Sequence, residues 1–411
     1  MTKAIVRVTA CVVISAGCAG EGVETSPSTS IDSAGVAIVW SDPRDALREP
    51  LLADTLVAIG LAEGDPRYTL GRIAGGSILA GNRIAVADGL AAQIQVYDEG
   101  GVHVDEWGGP GQGPGEFEVL WHLSPFPGDS IVAAETGARR VSVFGPEGEF
   151  GRLLRPEVNS VAPATWSPQS CCVYWGSTAR GEHIVSTPVR VPTAGNGSRF
   201  GSHHVVVLDP EGAAPQGEAN VRGGEYHPAP DRPGGVTAMH LGTAAALAPT
   251  ADGFVSIDGR SYEVRFFGRD GELERIARLD RPRSPLPREV RGRVEAHYER
   301  LMERAGAGAD ASGLTWIADR PFPDSLPSYN VVVSDRHEYV WAGYVPGRFE
   351  GGEGILDLFT MAGTFVGSLT LPAGARPLDA KGDRLLISTT DELGVQRVRL
   401  VRVRGGPWGS A

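Results

Sequence analysis

The sequence lacks three features that would each define a class of protein. No apolar run approaches the ~20 residues that cross a membrane as a helix, and the run from Val8 to Ala16 is far shorter. Acidic residues outnumber basic ones, and the formal charge of −12 argues against nucleic acid and against adsorption to anionic lipid. No Cys-x-x-Cys is matched by a second such pair or by His-x-x-x-His, which argues against a zinc site.

Motifs of common catalytic folds are also missing. No Gly-x-Ser-x-Gly sequence occurs. The glycine-rich run from Gly108 to Gly115 has spacing like that of a dinucleotide-binding loop, but it leads into Phe117-Glu118-Val119 instead of a helix. Because phosphate binding of that type needs a helix N-terminus, we reject a dinucleotide site. The sequence therefore identifies no catalytic residue.

What the sequence does contain is a repeated unit of short strands. Between Asn82 and Phe117, apolar and polar residues alternate in three runs separated by Gly, Asp and Asn, as is typical of half-buried antiparallel strands. Each unit begins with an acidic residue, followed by apolar residues at +6, +8 and +9 and by glycine at +13. Five units start at Asp88, Glu135, Asp258, Glu350 and Glu392, and a sixth keeps only its second half, ending at Gly212.

These units predict an all-β fold, a six-bladed β-propeller. One small sheet of alternating residues buries too little apolar surface alone, but such sheets cover one another when packed around an axis. The glycine at +13 suits a hairpin position with positive φ. The acidic residue that begins each unit can close a turn through hydrogen bonds to nearby backbone, and we favour that role over ligand binding. A seventh blade is the alternative, if residues 156–235 contain an extra sheet.

The residues of the first unit carry a resemblance to a known family. Val-Ala-Asp, Ile-Gln-Val-Tyr-Asp and then Gly-Gly-Pro-Gly-Gln-Gly-Pro-Gly-Glu-Phe resemble the NHL-type repeat of six-bladed propellers, and in particular the bacterial six-bladed propeller lipoproteins. The likeness is sharpest over residues 78–155 and covers most of the chain. It implies the propeller fold and a location in the cell envelope. It implies no single function, because members of this class do many different things.

The first residues resemble an export signal with a lipid-attachment site. Lys3 and Arg7 precede the apolar run, and Ser15-Ala16-Gly17-Cys18 resembles a lipobox, although the family most often has Leu where Ser15 stands. Residues 1–17 are therefore interpreted as a lipoprotein signal peptide, with Cys18 lipidated. Ala19 beside the lipidated cysteine resembles lipoproteins of the outer membrane. An ordinary secretory signal is the alternative.

The rest of the chain divides into three parts. Residues 18–34 are interpreted as a flexible tether, 35–404 as the propeller and 405–411 as a tail. The strand-like runs Gly35–Trp40 and Leu56–Gly60 have no full unit around them, and we expect both to complete the last blade and close the ring. One helical insertion is predicted near 288–305, where Val290, Val294, Tyr298 and Leu301 fall on one face.

Two cysteines remain after the signal segment. Cys171 and Cys172 are adjacent, so they can pair with each other only as a vicinal disulfide. One buried and one exposed thiol is the alternative. Similar Cys-Cys pairs line the cofactor of quinoprotein dehydrogenases, but the tryptophan-docking repeats of those enzymes are absent here.

The candidate ligand-binding residues follow from propeller geometry. Loops after the second strand of each blade share one face around the axis, so we expect Asp88, Glu135, Asp258 and Glu392 to form an acidic rim there. Clustered carboxylates bind Ca²⁺ through oxygen, which makes Ca²⁺ the one cofactor that the sequence suggests. Two functions are consistent with this pattern. The favoured one is a non-catalytic, membrane-tethered module that binds a protein or small molecule, and the alternative is a divalent-metal-dependent hydrolase or lyase of the gluconolactonase-like propeller type.

Overall fold

The protein is an all-β, six-bladed β-propeller with one α-helix, as predicted. The computed structural model describes residues 28–45, 51–135, 140–156, 172–187, 199–228, 236–305, 318–347 and 350–409. Their strands form six sheets, the blades, which are antiparallel except for one parallel pair in blade 4. The innermost strands contact one another in a closed ring. The seven-bladed alternative finds no support.

Blades 1 to 3 follow one another along the chain. Blade 1 contains β4 (Ile73–Ile78), β5 (Ile84–Asp88), β6 (Gln93–Tyr97) and β7 (His103–Trp107). Blade 2 contains β8 (Leu120–Phe126), β9 (Ser130–Glu135), β10 (Val141–Phe144) and β11 (Phe150–Leu154). Blade 3 contains β12 (Val173–Ser177), β13 (His183–Ser186), β14 (Arg199–Leu208), β15 (Pro215–Pro228) and β16 (Val236–Ala238).

Blades 4 and 6 also recruit strands from the beginning of the chain. Blade 4 contains β17 (Ala246–Pro249), β18 (Gly253–Ile257), β19 (Glu263–Gly268), β20 (Leu273–Leu279), β2 (Val36–Ser41) and β1 (Ser28–Ser33). Blade 5 contains β21 (Val331–Ser334), β22 (Tyr339–Tyr344), β23 (Gly354–Thr360) and β24 (Phe365–Leu371). Blade 6 contains β25 (Ala375–Lys381), β26 (Arg384–Thr390), β27 (Gln396–Arg404) and β3 (Leu52–Ile59).

The glycine at +13 of each unit adopts the positive φ that the sequence predicts. The φ values lie between 71° and 90° at Gly101, Gly148, Gly212, Gly271, Gly363 and Gly405. In blades 1 to 5 this glycine ends the hairpin between the third and fourth strands, and the register of that strand pair shifts by one residue just before it. A turn followed by a left-handed glycine and a bulge is a common hairpin design. The repeated unit in the sequence therefore corresponds to one kind of hairpin that recurs from blade to blade.

The ring closes through one of the two expected N-terminal strands. β3 pairs antiparallel with β27 and supplies the outer strand of blade 6. The prediction for the other segment, Gly35–Trp40, is wrong, because β2 pairs in parallel with β20 at the outer edge of blade 4. Val39 lies opposite Ala277 there, and the exposed ring of Trp40 stacks with the Arg278 guanidinium at 4.8 Å. β27 offers one free edge, which β3 occupies, so the second run pairs elsewhere.

The ends of the propeller also differ from the predicted boundaries. Ser28–Ser33, assigned to the tether, form β1, because a tight turn at Ala34 and Gly35 folds them back onto β2. Asp32 closes that turn by accepting a hydrogen bond from the Gly35 amide at 3.2 Å. At the other end the predicted tail packs against blade 5, since the Trp408 ring stacks on Trp341 with ring centroids 6.1 Å apart. Residues 1–27, with the signal segment and Cys18, lie outside the described residues.

The predicted helix is confirmed as α1 (Arg288–Ala305), inserted between blades 4 and 5. Its predicted apolar face points inward, with Val294 buried and the other three residues half-buried. The Tyr298 ring lies 4.9 Å from the ring of His240, which follows blade 3. No helix of the described residues is long and apolar enough to cross a membrane.

The hydrophobic core is divided among the blade interfaces. Six clusters of buried apolar side chains each join two adjacent blades, including blade 6 with blade 1. Each blade is therefore stabilised by both neighbours, as expected when single sheets cannot fold alone.

The repeated hairpin glycine can be tested at Gly271. A Cβ there would lie 2.2 Å from the Glu218 carbonyl oxygen, at a φ of 82°. Gly271→Ala should lower the free energy of unfolding by roughly 2–4 kcal/mol, from left-handed strain plus overpacking. Gly382→Ala is the matched control, since Gly382 also has positive φ but nothing lies within 4 Å of its Cβ position. Urea denaturation measures both, and equal losses would contradict the steric argument.

Candidate functional site in the central channel

The predicted rim residues of blades 1 and 2 hold the backbone where the chain enters the innermost strand. Asp88 accepts hydrogen bonds from the Gly71 amide at 2.7 Å and the Arg72 amide at 3.1 Å, and also from the turn that follows β5. Glu135 accepts from the Glu118 amide at 2.6 Å and lies 3.3 Å from the Arg140 guanidinium. Both carboxylates therefore have the turn-closing contacts that we favoured from sequence.

Asp258 also closes its turn, because its Oδ1 accepts a hydrogen bond from the Arg260 amide at 3.0 Å. It is buried and ion-paired to Arg265 at 3.0 Å. Glu350 lies in the loop after β22, where it accepts a hydrogen bond from the Tyr344 hydroxyl. Glu392 is exposed, and its neighbour Asp391 makes the turn contacts instead.

These carboxylates do not form a metal site together. Among the described residues, no group of three His, Cys, Asp or Glu side chains could hold a metal ion. A role for Asp88, Glu135, Asp258 or Glu392 in binding a ligand stays a prediction.

Cys172 is disulfide-bonded and buried beside the innermost strand of blade 3. Its backbone has a φ of 72°, which is uncommon for a residue with a Cβ. Cys171, the predicted partner, lies outside the described residues. The vicinal disulfide therefore stays a prediction.

The channel between the six innermost strands contains two chambers. The upper chamber, on the side where these strands begin, has a volume of about 380 Å³ and is lined by all six of them. The lower chamber, about 320 Å³, lies among the turns that follow these strands. Pro125, Arg336 and Asp379 line both chambers, so they form the partition, which we call the floor of the upper chamber.

Arg336 projects into the floor from the tight turn between β21 and β22. Asp335 fixes this turn by accepting hydrogen bonds at 2.9 Å from the amides of His337, Glu338 and Tyr339. Arg336 itself has a φ of 69°, a left-handed conformation that costs free energy in a non-glycine residue. Its Nε donates to the Ser177 carbonyl at 3.1 Å, across the channel. The turn is thus held so that Arg336 lines both chambers.

Asp379 is the carboxylate of the floor. It is buried, and its Oδ2 accepts a hydrogen bond from the Ile78 amide of blade 1 at 2.9 Å. Burial raises the pKa of Asp379 to about 6, although Arg336 and the Ile78 amide act in the opposite direction. Burial also lowers the pKa of Arg336. The floor therefore contains two desolvated, oppositely charged groups that are not in direct contact.

The wall above the floor carries polar atoms without partners. The Nε2 of His122 and the Oγ of Ser124 are buried and find no hydrogen-bond partner among the described residues. Burial lowers the pKa of His122 to about 4, so the imidazole is neutral at pH 7. A buried polar group without a partner costs free energy, and such groups in a cavity can bind a ligand or water.

Two of the innermost strands contain a bulge at a tryptophan. Trp175 of β12 has no partner residue in β13, and Trp121 of β8 has none in β9, so each is the extra residue of a bulge. Trp175 lines the upper chamber, with its Nε1 donating to Ser186 at 2.8 Å. Trp121 is exposed instead, beneath the Arg72 guanidinium at 5.0 Å. Equivalent bulges thus place one indole in the channel and the other outside it.

Sequence reasoning missed the chamber residues Arg336, Asp379, His122 and Trp175. None of them occupies a repeated position of the unit, since the repeat is defined by the second and third strands. The one usable signal was the turn Ser-Asp-Arg-His, which lacks the glycine found in comparable turns.

The chain resembles solved propellers in fold, and no protein-family model or curated protein sequence matches it. A candidate exported protein from Bacteroides fragilis has a TM-score of 0.47 and 11% identity, with 90% of this chain and 100% of that chain covered. A streptogramin B lyase has a TM-score of 0.40 and 8% identity over 86% and 98% of the two chains. A gluconolactonase from Xanthomonas campestris has a TM-score of 0.34 and 15% identity over 96% and 100%. At these identities the likeness concerns the fold alone.

The raised pKa of Asp379 predicts a pH-dependent effect of Asp379→Asn. Because folding disfavours the ionised carboxylate, the wild type loses stability as pH rises from about 4 to above 6. The amide avoids this loss, so the variant should be more stable by up to about 3 kcal/mol at pH 8, and the gain should vanish near pH 4. Urea denaturation at both values measures the difference.

Asp391→Asn is the control for that measurement. The pKa of Asp391 is lowered by its hydrogen bond from Arg397, so this variant should gain nothing at pH 8. An equal gain in both variants, or a gain for Asp379→Asn that is the same at pH 4 and pH 8, would contradict the burial argument.

Proposed function

We propose that this protein is a cell-envelope, lipid-anchored binding protein whose small-molecule ligand occupies the upper chamber of the propeller. The observation that carries the proposal is the partitioned channel. All six blades contribute to one chamber of about 380 Å³, the size of many small-ligand sites, and Arg336 closes its floor. Exposed Arg376 lies among its lining residues, so the chamber reaches solvent.

The walls of the chamber combine apolar surface with a few polar groups. Ile73, Val331, Val333 and Leu378 are half-buried and present apolar surface, and Trp175 adds an aromatic ring. His122 and Ser124 add polar groups to the lining, and their Nε2 and Oγ atoms are buried without a hydrogen-bond partner among the described residues. This mixture is typical of sites where apolar contact supplies affinity and a few polar groups fix orientation.

The described residues support binding better than metal-dependent hydrolysis. A catalytic divalent metal of the gluconolactonase-like type needs several oxygen ligands converging in the channel. Asp379 is the one carboxylate that lines the upper chamber within the described part of the chain, and its Oδ2 already accepts a hydrogen bond from the Ile78 amide. We therefore propose a ligand-binding role without resident metal.

The envelope location rests on the beginning of the sequence. Lys3, Arg7, the apolar run and the lipobox-like Ser15-Ala16-Gly17-Cys18 support export and lipidation of Cys18. Nine residues separate Cys18 from Ser28, where β1 begins. Fully extended, they span at most about 33 Å, so the lipid would hold blade 4 close to the bilayer. Outer-membrane attachment and a protein partner on the propeller face are further proposals.

Lipid anchoring is tested by Cys18→Ala. Without the thiol no diacylglycerol can be attached, so the variant should leave the membrane fraction and fail to incorporate labelled palmitate. Cys11→Ala is the control, since Cys11 lies in the apolar part of the signal and should not affect anchoring. Membrane fractionation with immunoblotting measures both variants, and a Cys18→Ala protein that still carries label would disprove the anchor.

Ligand binding in the chamber is tested with the two bulge tryptophans. A thermal-shift screen of the mature protein in detergent, with sugars, lactones, amino acids and aromatic acids, should find at least one compound that raises the melting temperature. Trp175→Ala should abolish that shift, and Trp121→Ala, whose indole is exposed, should retain it. A shift that persists in Trp175→Ala would place the ligand elsewhere.

The same screen separates binding from metal-dependent catalysis. Ca²⁺ or Mg²⁺ alone should cause no shift. A metal-induced shift that is lost in Glu135→Ala or Asp258→Ala would favour the hydrolase or lyase alternative.

A further inference from the structure

The two chambers of the channel differ in charge. Arg336 and Arg376 line the upper chamber with one carboxylate, Asp379, so it carries more positive than negative charge. Three carboxylates and two cations line the lower chamber, which is therefore acidic (Asp129, Asp335, Asp379, Arg336 and Lys381). The whole chain has a formal charge of −12, so a cationic chamber departs from the average of the protein.

The guanidinium of Arg336 keeps most of its hydrogen-bonding capacity free. Its Nε donates to Ser177, and no other acceptor within the described ranges takes a hydrogen bond from the two terminal nitrogens. Asp379 is close enough to act on Arg336 electrostatically, but they form no ion pair within 4 Å. Desolvated guanidinium groups are matched by planar anions such as carboxylates, which accept two parallel hydrogen bonds.

The wall beside Arg336 adds further donors. His122 lies near enough for the Arg336 charge to act on its imidazole, and its Nε2 can donate in the appropriate tautomer. Ser124 is more than nine-tenths buried, lines the same chamber, and has a hydroxyl that can donate as well. The side chains of Arg336, His122 and Ser124 therefore line one part of the upper chamber, where their donors outnumber the hydrogen-bond acceptors of the described residues.

We propose that the upper chamber binds a small organic carboxylate, with the carboxylate on Arg336 and the apolar body against Trp175 and the aliphatic wall. The inference rests on the proposed function of the chamber as a ligand site. His122 and Ser124 then donate to the carboxylate, and Arg376 attracts it from the chamber mouth. The lower chamber rejects such a ligand because of its acidic lining.

The test uses three compounds with one skeleton and different charge. Indole-3-acetate, indole-3-acetamide and tryptamine carry negative, zero and positive charge, and isothermal titration of the mature protein in detergent measures each affinity. The acetate should bind at least about tenfold more tightly than the amide, because a charge-assisted hydrogen bond to a buried group is lost in the amide. Tryptamine should bind most weakly.

Three variants test whether the preference for the acetate over the amide depends on the floor residues. Arg336→Gln should remove it, leaving acetate and amide within about twofold of each other. Asp379→Asn removes a negative charge from the same floor and should tighten acetate binding, an opposite effect that a folding defect cannot mimic. Lys381→Gln makes the same change in charge as Arg336→Gln but in the lower chamber, and should leave acetate affinity nearly unchanged.

The outcomes separate this inference from the proposed function. Tighter binding of the amide or the amine to the wild type would overturn the carboxylate proposal while leaving the chamber a ligand site. If none of the three compounds binds, crystals soaked in bromide test whether the upper chamber binds an anion at all. Anomalous density beside Arg336 supports an anion site for a different organic body, and bromide found only on the outer surface overturns the proposal.

Discussion

Pairing between β3 and β27 is the constraint on which the rest of the structure depends. It joins the third strand of the chain to the last one, with Leu52 opposite Arg404 and Ile59 opposite Val398. The half-exposed ion pair between Arg404 and Asp54 at 2.5 Å adds little, because solvent screens such pairs. The stabilisation comes from strand pairing and from the apolar cluster that joins blade 6 to blade 1. Closure also sets the floor of the channel, since Asp379 of blade 6 bonds to Ile78 of blade 1.

Carboxylates serve two different purposes in this propeller. Those that begin the repeated units, such as Asp88 and Glu135, accept hydrogen bonds from backbone amides that would otherwise be buried without partners. Asp379 accepts a hydrogen bond from one amide as well, but it lines both chambers, and burial raises its pKa. The repeated carboxylates hold turn backbone within the blades, and the unrepeated one belongs to the site that we propose.

The chamber also shows how small irregularities create a site within a regular ring. Two innermost strands each carry one extra residue, a tryptophan, and its indole lines the channel at Trp175 but is exposed at Trp121. A left-handed arginine in one turn, together with Pro125 and Asp379, separates two chambers of opposite charge. Such features cost local stability, and the packing of blades on both sides offsets that cost.

The sequence by itself determined the all-β class, the six blades, the hairpin glycines, the helix α1 and the use of an N-terminal strand to close the ring. These features depend on local patterns, namely alternation, turn residues and helical spacing, which short stretches of chain express directly. The tertiary structure alone decided that β2 joins blade 4, that the Trp408 segment packs on blade 5, and that Arg336, Asp379, His122 and Trp175 meet in one channel. Those residues come from four different blades, and no local pattern records which side chains a closed ring brings to its axis.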